Sequence, residues 1–271
     1  MTPVTVKRGA GPVVLGLPHT GTFVPYDIAA KLNDTGLKLA DTDWHIDKLY
    51  EDLLDNATTV RANFHRYVID ANRDPSGASL YPGQNTTTLV PLTDFDGQNI
   101  WTTPPTPKDI EARRAAFHAP YHAALHAELR RVRDLHGVAI LYDCHSIRSQ
   151  IPFLFEGSLP DFNIGTSDGT SCAPIIQHLV ERACADVTDP RDPDYTQVTN
   201  GRFKGGWTTR HYGRPDAGIH AIQMELAQST YLTTETAPWD YNEEKATALR
   251  HRLSHILMTL EGVAPSLREK T

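Results

Sequence analysis

Cysteine is scarce in this chain of 271 residues, where only Cys144, Cys172 and Cys184 occur. Three thiols with no CxxC spacing make no disulfide framework, and a reducing cytoplasm is the simpler setting. Long apolar runs are also missing, since no stretch approaches the roughly eighteen residues of a membrane span. The short apolar run near the N-terminus ends in Pro-His-Thr-Gly and lacks a small-residue cleavage site, so it reads as a first strand and not a signal peptide. There is no excess of positive charge either. The formal net charge is −7, which argues against a nucleic-acid partner because counterion release needs a basic surface. An acidic small-molecule substrate stays open, because a few arginines can reverse the sign inside a pocket. Neither a G-x-S-x-G elbow nor a P-loop is present. Cys144 adjoins His145, but strand neighbours face opposite ways and cannot act there as nucleophile and base.

What is present is a foldable α/β pattern. Hydrophobic residues make up 39% and charged residues 22% of the chain, enough for a sizeable core. Val13–Leu17 is a continuous apolar run of the kind that forms a buried strand. Residues 41–55 carry Ile46, Leu49, Tyr50, Leu53 and Leu54 at helical spacing. Short strands are expected at 58–61 and 67–70, and a long helix at 107–136, interrupted near Pro120. A strand at 138–142 leads into Asp143-Cys144-His145-Ser146. A helix at 173–185, a Gly-rich stretch at 201–206, a strand at 219–226 and a closing helix at 241–260 complete the order. Strands alternating with helices imply a mainly parallel mixed sheet with helices on both faces, in one domain spanning 1–271. Functional groups should then gather at the carboxyl edge of the strands. Residues 74–107, rich in Pro, Gly, Thr and Asn, read as an ordered excursion over that edge.

Two of the thirteen histidines occupy equivalent places. His19 lies just beyond the first strand and His145 just beyond another, so both would project from the carboxyl edge as metal ligands. A catalytic zinc takes three protein groups and keeps one position open. The third group is sought in DTDWHID, where Asp43 and Asp47 share one face of the expected helix. Asp43, in its first turn, is nearer the edge and is preferred, with Asp47 second and His45 third. Metal-assisted hydrolysis also needs a base, and Glu225, in the apolar strand HAIQMELA, is the candidate because a buried carboxylate there is costly without a role. Arg73, Arg148, Arg202 and Arg210 fall in loops or element ends, where guanidinium groups could hold an acidic substrate. The His118, His122 and His126 ladder reads as a solvated helix face.

PHTG, DTDWHIDKLY, RYVIDANRDP, SLYPGQNTT, DCHSIRS, LFEG, LPDFNIGTSDGTSC, NGRFKGGWTTRHYGRP and MELAQSTY follow one another in this order. From about residue 13 to residue 260 the chain thereby closely resembles the N-formylglutamate deformylase (N-formylglutamate amidohydrolase) family. The resemblance implies a fold similar to zinc carboxypeptidases (phosphorylase/hydrolase-like) and a His–acid–His metal site followed by a late glutamate. His19 and His145 then match the metal histidines, and Glu225 matches the base. Asp43 matches the acidic ligand, where those enzymes more usually carry Glu. Asn72 and Arg73 resemble an Asn-Arg pair that binds substrate carboxylate. The implied activity is hydrolysis of N-formyl-L-glutamate with one Zn²⁺ or other divalent metal, a step of histidine degradation. The alternative is a related zinc-dependent amidohydrolase acting on another N-acyl amino acid.

Overall fold

The computed structural model describes residues 2–79, 85–186 and 193–268. Its strands are β1 (Val4–Lys7), β2 (Val13–Leu17), β3 (Thr58–Ala62), β4 (Ala139–Ile147), β5 (Phe162–Gly165), β6 (Gln197–Thr199) and β7 (Ile219–Ala227). Its helices are α1 (Tyr26–Ala29), α2 (Asp34–Leu37), α3 (Ile46–Tyr50), α4 (Pro107–Arg113), α5 (Ala119–His136), α6 (Pro174–Ala185), α7 (Trp207–Tyr212) and α8 (Glu243–Val263). One sheet has the order β1-β3-β2-β4-β7-β5-β6. The pairs β3–β2, β2–β4, β4–β7 and β5–β6 run parallel, whereas β1–β3 and β7–β5 run antiparallel. This is the mixed, mainly parallel α/β sheet expected from the alternation of strands and helices.

Burial on both faces explains the apolar runs. Every residue of β2, β4 and β7 is buried. On one face Leu15, Ile140, Tyr142, Ile222 and Met224 pack against α3, α6 and α8. On the other, Val14, Leu141 and Ala221 pack against Tyr121, Leu125 and Leu129 of α5. Among the described residues no helix is long and apolar enough to cross a membrane.

Four expected elements differ in extent or kind. The helix expected at 41–55 shrinks to α3. His45 adopts φ 59°, a left-handed backbone that cannot continue a helix upstream, so Asp43 lies in the preceding turn and not on a face shared with Asp47. Residues 67–70 form buried turns and no strand, closed by Val68 N–H to the His65 carbonyl and Arg73 N–H to the Asp70 carbonyl. The strand expected at 138–142 runs on to Ile147, because the ladder with β7 continues through His145–Glu225 to Ile147–Ala227. His145 is therefore inside the strand, not beyond it. The long helix at 107–136 is continuous, with a π-helical turn at Arg114–His118 in place of a break. That turn precedes Pro120, whose missing N–H removes one rung of the α-helical ladder. β1, β5, β6 and α7 had no clear signal. The excursion at 74–107 is largely irregular and contributes Thr86, Thr87 and Phe95 to a cavity wall, while its residues 80–84 lie outside the described residues.

The face of α8 turned to the sheet sets much of the stability. Leu253, fully buried there, should lose about 2–5 kcal/mol when changed to Ala, read as a lower midpoint in urea unfolding with an unchanged slope. A change below about 0.5 kcal/mol, typical of surface sites, would contradict this packing.

Candidate metal centre

The sheet face under α5 changes character along its length. On β4 the same-face residues run Leu141, Asp143, His145, and on β7 they run Ala221, Gln223, Glu225. Successive same-face positions therefore turn from apolar to polar toward the carboxyl edge. Asp143 stands beside Gln223, and His145 beside Glu225. Gly16 on β2 leaves room for this row, since a Cβ there would come within 3.3 Å of Asp143 Oδ1.

His19 and Asp43 reach the same point from neighbouring loops. His19 follows β2 by two residues, and its carbonyl accepts from Asp43 N–H at 3.1 Å. The Asp43 turn is held further by the Thr42 hydroxyl donating to the Leu39 carbonyl and by Gln228 donating to the Thr42 carbonyl. Asp43 Oδ2 lies 3.8 Å from His19 Nδ1 and 3.1 Å from His145 Nδ1. One ligand atom from each of His19, Asp43 and His145 lies within 4.8 Å of the others, and all three residues are buried. His19 Nδ1 has no hydrogen-bond partner despite its burial, an uncompensated acceptor that a cation would satisfy. Two imidazoles and a carboxylate suit zinc, and tetrahedral ligand bonds of about 2.0–2.1 Å would space such donors by about 3.3 Å. The three residues thus form a candidate metal site whose donors fit a divalent ion.

The far nitrogens of both rings are anchored. His19 Nε2 lies 2.7 Å from Asp70 Oδ1, and Asp70 Oδ2 accepts from Arg66 at 2.7 Å. His145 Nε2 lies 3.3 Å from Asp143 Oδ2, the acceptor for its N–H when Nδ1 faces a metal, and the Asn72 amide nitrogen packs 3.1 Å from it. Such partners fix ring orientation in metal sites. Burial raises the cost of charging Asp70, yet Arg66 and then His19 outweigh it and hold its carboxyl well below the usual range. For His19, burial and the Arg66 charge lower the pKa against the pull of Asp70. For His145, burial opposes protonation, but Asp143 and Asp43 prevail and raise the pKa well above the ordinary value.

Glu225 faces the same space. Burial pushes its carboxyl up to about 8, with His145 pulling it down and Asp43 adding to the rise. Gln223 donates to Glu225 Oε2 at 3.2 Å and accepts from Gly206 N–H at 2.7 Å. A cavity opens over the centre, walled by His19, His145 and Glu225 together with Arg66, Arg73 and Arg202. Arg73 is braced by the Thr87 carbonyl and hydroxyl, and Arg202 by the Leu154 and Asn85 carbonyls.

Not every anticipated residue is here. Arg148, expected to hold substrate, is off the cavity wall and pairs with Asp96 at 2.9 Å. Arg210, also expected there, sits on α7 and donates to the Gly205 carbonyl. Asp47 pairs with Arg61 at 2.7 Å and accepts from Thr20, and His45 Nε2 meets the Trp239 carbonyl. Neither belongs to the ligand group of His19, Asp43 and His145. His118 and His122, read as a solvated face, are buried. Arg66, Asp70, Asp143 and Gln223 take places around the centre that the sequence pattern does not assign them. Asp143 and Gln223 each sit two residues before a selected side chain on a strand, a period that puts them on the same face.

The whole chain has known relatives. A family model described as N-formylglutamate amidohydrolase matches residues 11–232. N-formylglutamate deformylases from Pseudomonas putida and Pseudomonas aeruginosa are 43% and 42% identical over 260 and 262 residues, covering 95% of this chain and 95% of each relative. The crystal structure of an N-formylglutamate amidohydrolase from Ralstonia eutropha is similar with a TM-score of 0.78 and 27% identity, covering 100% of both chains. A gene product of Agrobacterium tumefaciens shares the fold, with a TM-score of 0.72 at 17% identity, over 97% of this chain and 96% of that one.

The geometry separates Asp43 from Asp47. In Co²⁺ titrations Asp43→Ala should weaken binding by more than the roughly 10–100-fold that loss of a supporting partner costs, whereas Asp47→Ala should leave affinity unchanged. Equal weakening by both would overturn this assignment.

Proposed function

The chain belongs to the N-formylglutamate amidohydrolase family, and we propose that it hydrolyses N-formyl-L-glutamate to L-glutamate and formate with one divalent metal, Zn²⁺, held by His19, Asp43 and His145. The observation that carries this is the unpartnered His19 Nδ1 facing Asp43 and His145, with Glu225 beside His145 and arginines on the same cavity wall. The names of the relatives supply the substrate, and the reaction is a step of histidine degradation. Three buried, unpaired thiols support a reducing, cytoplasmic setting.

A bound divalent ion supplies Lewis acidity toward the formyl oxygen and acidifies water. Glu225 takes the proton from the attacking water as the new C–O bond forms. It then hands that proton to the amine nitrogen as the formyl C–N bond breaks, so one carboxylate acts as base and then acid. Its burial places the carboxyl near neutrality, where it can do both. Asn72 and Arg73 hold the substrate carboxylate nearer the reacting amide, and Arg202 meets the other. Arg66, whose Nε is buried without a partner, faces the cavity and complements negative charge developing on the formyl oxygen.

Formate release is the direct test, run on N-formylglutamate beside other N-formyl and N-acetyl amino acids. A preference for another N-acyl compound would move the chain to a sister activity. Protein stripped by a chelator should lose turnover and regain it when Zn²⁺ is restored; full activity without metal would refute the metal chemistry. Glu225→Gln should keep Co²⁺ and substrate binding while kcat falls about 10²–10⁴-fold, and a near-normal rate would remove Glu225 from its role.

A further inference from the structure

Two buried histidines of α5 and its preceding turn have no part in the chemistry above. His122 Nε2 lies 2.7 Å from the Ala71 carbonyl oxygen, and His118 Nε2 lies 3.1 Å from the Arg73 carbonyl oxygen. These carbonyls flank Asn72 on either side. A carbonyl only accepts, so each Nε2 carries a proton, and in the neutral ring Nδ1 is then an acceptor. His122 Nδ1 has such a donor in reach, since the Tyr212 hydroxyl lies 3.1 Å from it and 3.2 Å from the His122 carbonyl, and its one proton can serve either acceptor. Burial favours the neutral rings, lowering His118 and taking His122 to about 3.

The residue between the two carbonyls is the junction of the site. Asn72 N–H donates to Asp70 Oδ1 at 2.8 Å, and its side-chain oxygen accepts from Thr208 N–H at 2.9 Å. Its amide nitrogen is left 3.1 Å from His145 Nε2. Thr208 and Tyr212 stand one turn apart on α7, so that helix contacts the Asn72 amide directly and the clamp through Tyr212. Gly206 lets α7 approach this closely, because a Cβ there would come within 2.2 Å of the Asn72 amide nitrogen. The π-helical turn at Arg114–His118 precedes the helix that carries His122, the kind of irregularity often found beside functional sites.

We propose that His118 and His122 are positioning residues, clamping the carbonyls on both sides of Asn72 so that its amide is set against His145 and the Arg73 guanidinium is set on the cavity wall. His122 acts through Asn72 on the metal-facing ring, and His118 acts through Arg73 on substrate binding. The assignment rests on the reading of His145 as a metal ligand and of Arg73 as a substrate contact. Nothing in it requires the histidines to touch substrate or to titrate.

The test separates donor from bulk. His→Phe keeps an aromatic ring against Trp207 and Tyr212 but has no donor, whereas His→Gln keeps an N–H where Nε2 was and loses the ring. His122→Phe should weaken Co²⁺ binding, followed by its ligand-field absorption, about 10-fold, and His122→Gln should recover most of it. His118→Phe should raise KM for N-formylglutamate about 10-fold with kcat kept, and His118→Gln should again recover it. Phe variants matching the unmodified protein, or Gln variants as impaired as Phe, would overturn the clamp. The ¹⁵N–¹H signals of the His145 ring in metal-free protein give the same comparison without metal or substrate. They should shift in His122→Phe and return in His122→Gln, and signals unmoved in both would also reject the proposal. Failure of formate release or of Co²⁺ binding in the unmodified protein would instead refute the functional reading, leaving the ring signals to judge the clamp.

Discussion

Four carboxylates, Asp43, Asp70, Asp143 and Glu225, are buried together where β2, β4 and β7 reach their carboxyl ends. Removing a carboxylate from water costs several kcal/mol unless charge or hydrogen bonds replace the solvent. The surrounding architecture answers that demand residue by residue. Arg66 is buried against Asp70, backbone N–H groups of Asn72 and Ser146 donate to Asp70 and Asp43, and the two imidazoles sit between acids. Negative charge still exceeds the positive charge of Arg66 at this end of the sheet. The elevated pKa of His145 expresses this excess, and Asp43 adds to the rise that burial imposes on Glu225; a divalent cation between His19, Asp43 and His145 would relieve it.

The excess also explains why the polar row lies inside strands. A loop bearing these groups would have to hold their positions against water, whereas the β4–β7 ladder fixes them through backbone hydrogen bonds made on both sides. The loops bring the remaining groups to this row: the Asp43 turn tied by Thr42 and Gln228, and the excursion that carries Thr86, Thr87 and Phe95 to the cavity. Glu235 joins the loops that follow β4 and β7, accepting from Ser149 and Ser229 backbone N–H groups.

Much of this was legible in the order of residues. The apolar run Val13–Leu17 has the bounds of β2, and the placing of His19 beyond it follows directly. The nature of the sheet followed from strands alternating with helices. What escaped were features that depend on partners distant in sequence. The apolar spacing at 46, 49 and 50 is a real helix signal, but side chains from Gln228 and a left-handed His45 hold the preceding turn open, so the helix begins later. β4 outlasts its apolar residues because β7 carries matching polar ones. Residues 67–70 read as a strand because the Arg66–Asp70 ion pair and the His19 ring on Asp70, which tie them into turns, are contacts that residue order does not show. The ladder at His118 and His122 resembled a wet face because the carbonyls it serves come from a segment about fifty residues upstream.

The ladder from Ala139–Ile219 to Ile147–Ala227 places His145 and Glu225 directly opposite one another. Neighbouring strands lie about 4.8 Å apart, so the spacing between the metal-facing ring and the carboxylate is a property of the sheet itself. The outer part of the cavity wall, from the excursion and the loop bearing Arg202, is attached separately. A change of length in the irregular segments of the wall would reshape the cavity and leave the strand-to-strand spacing of His145 and Glu225 as it is.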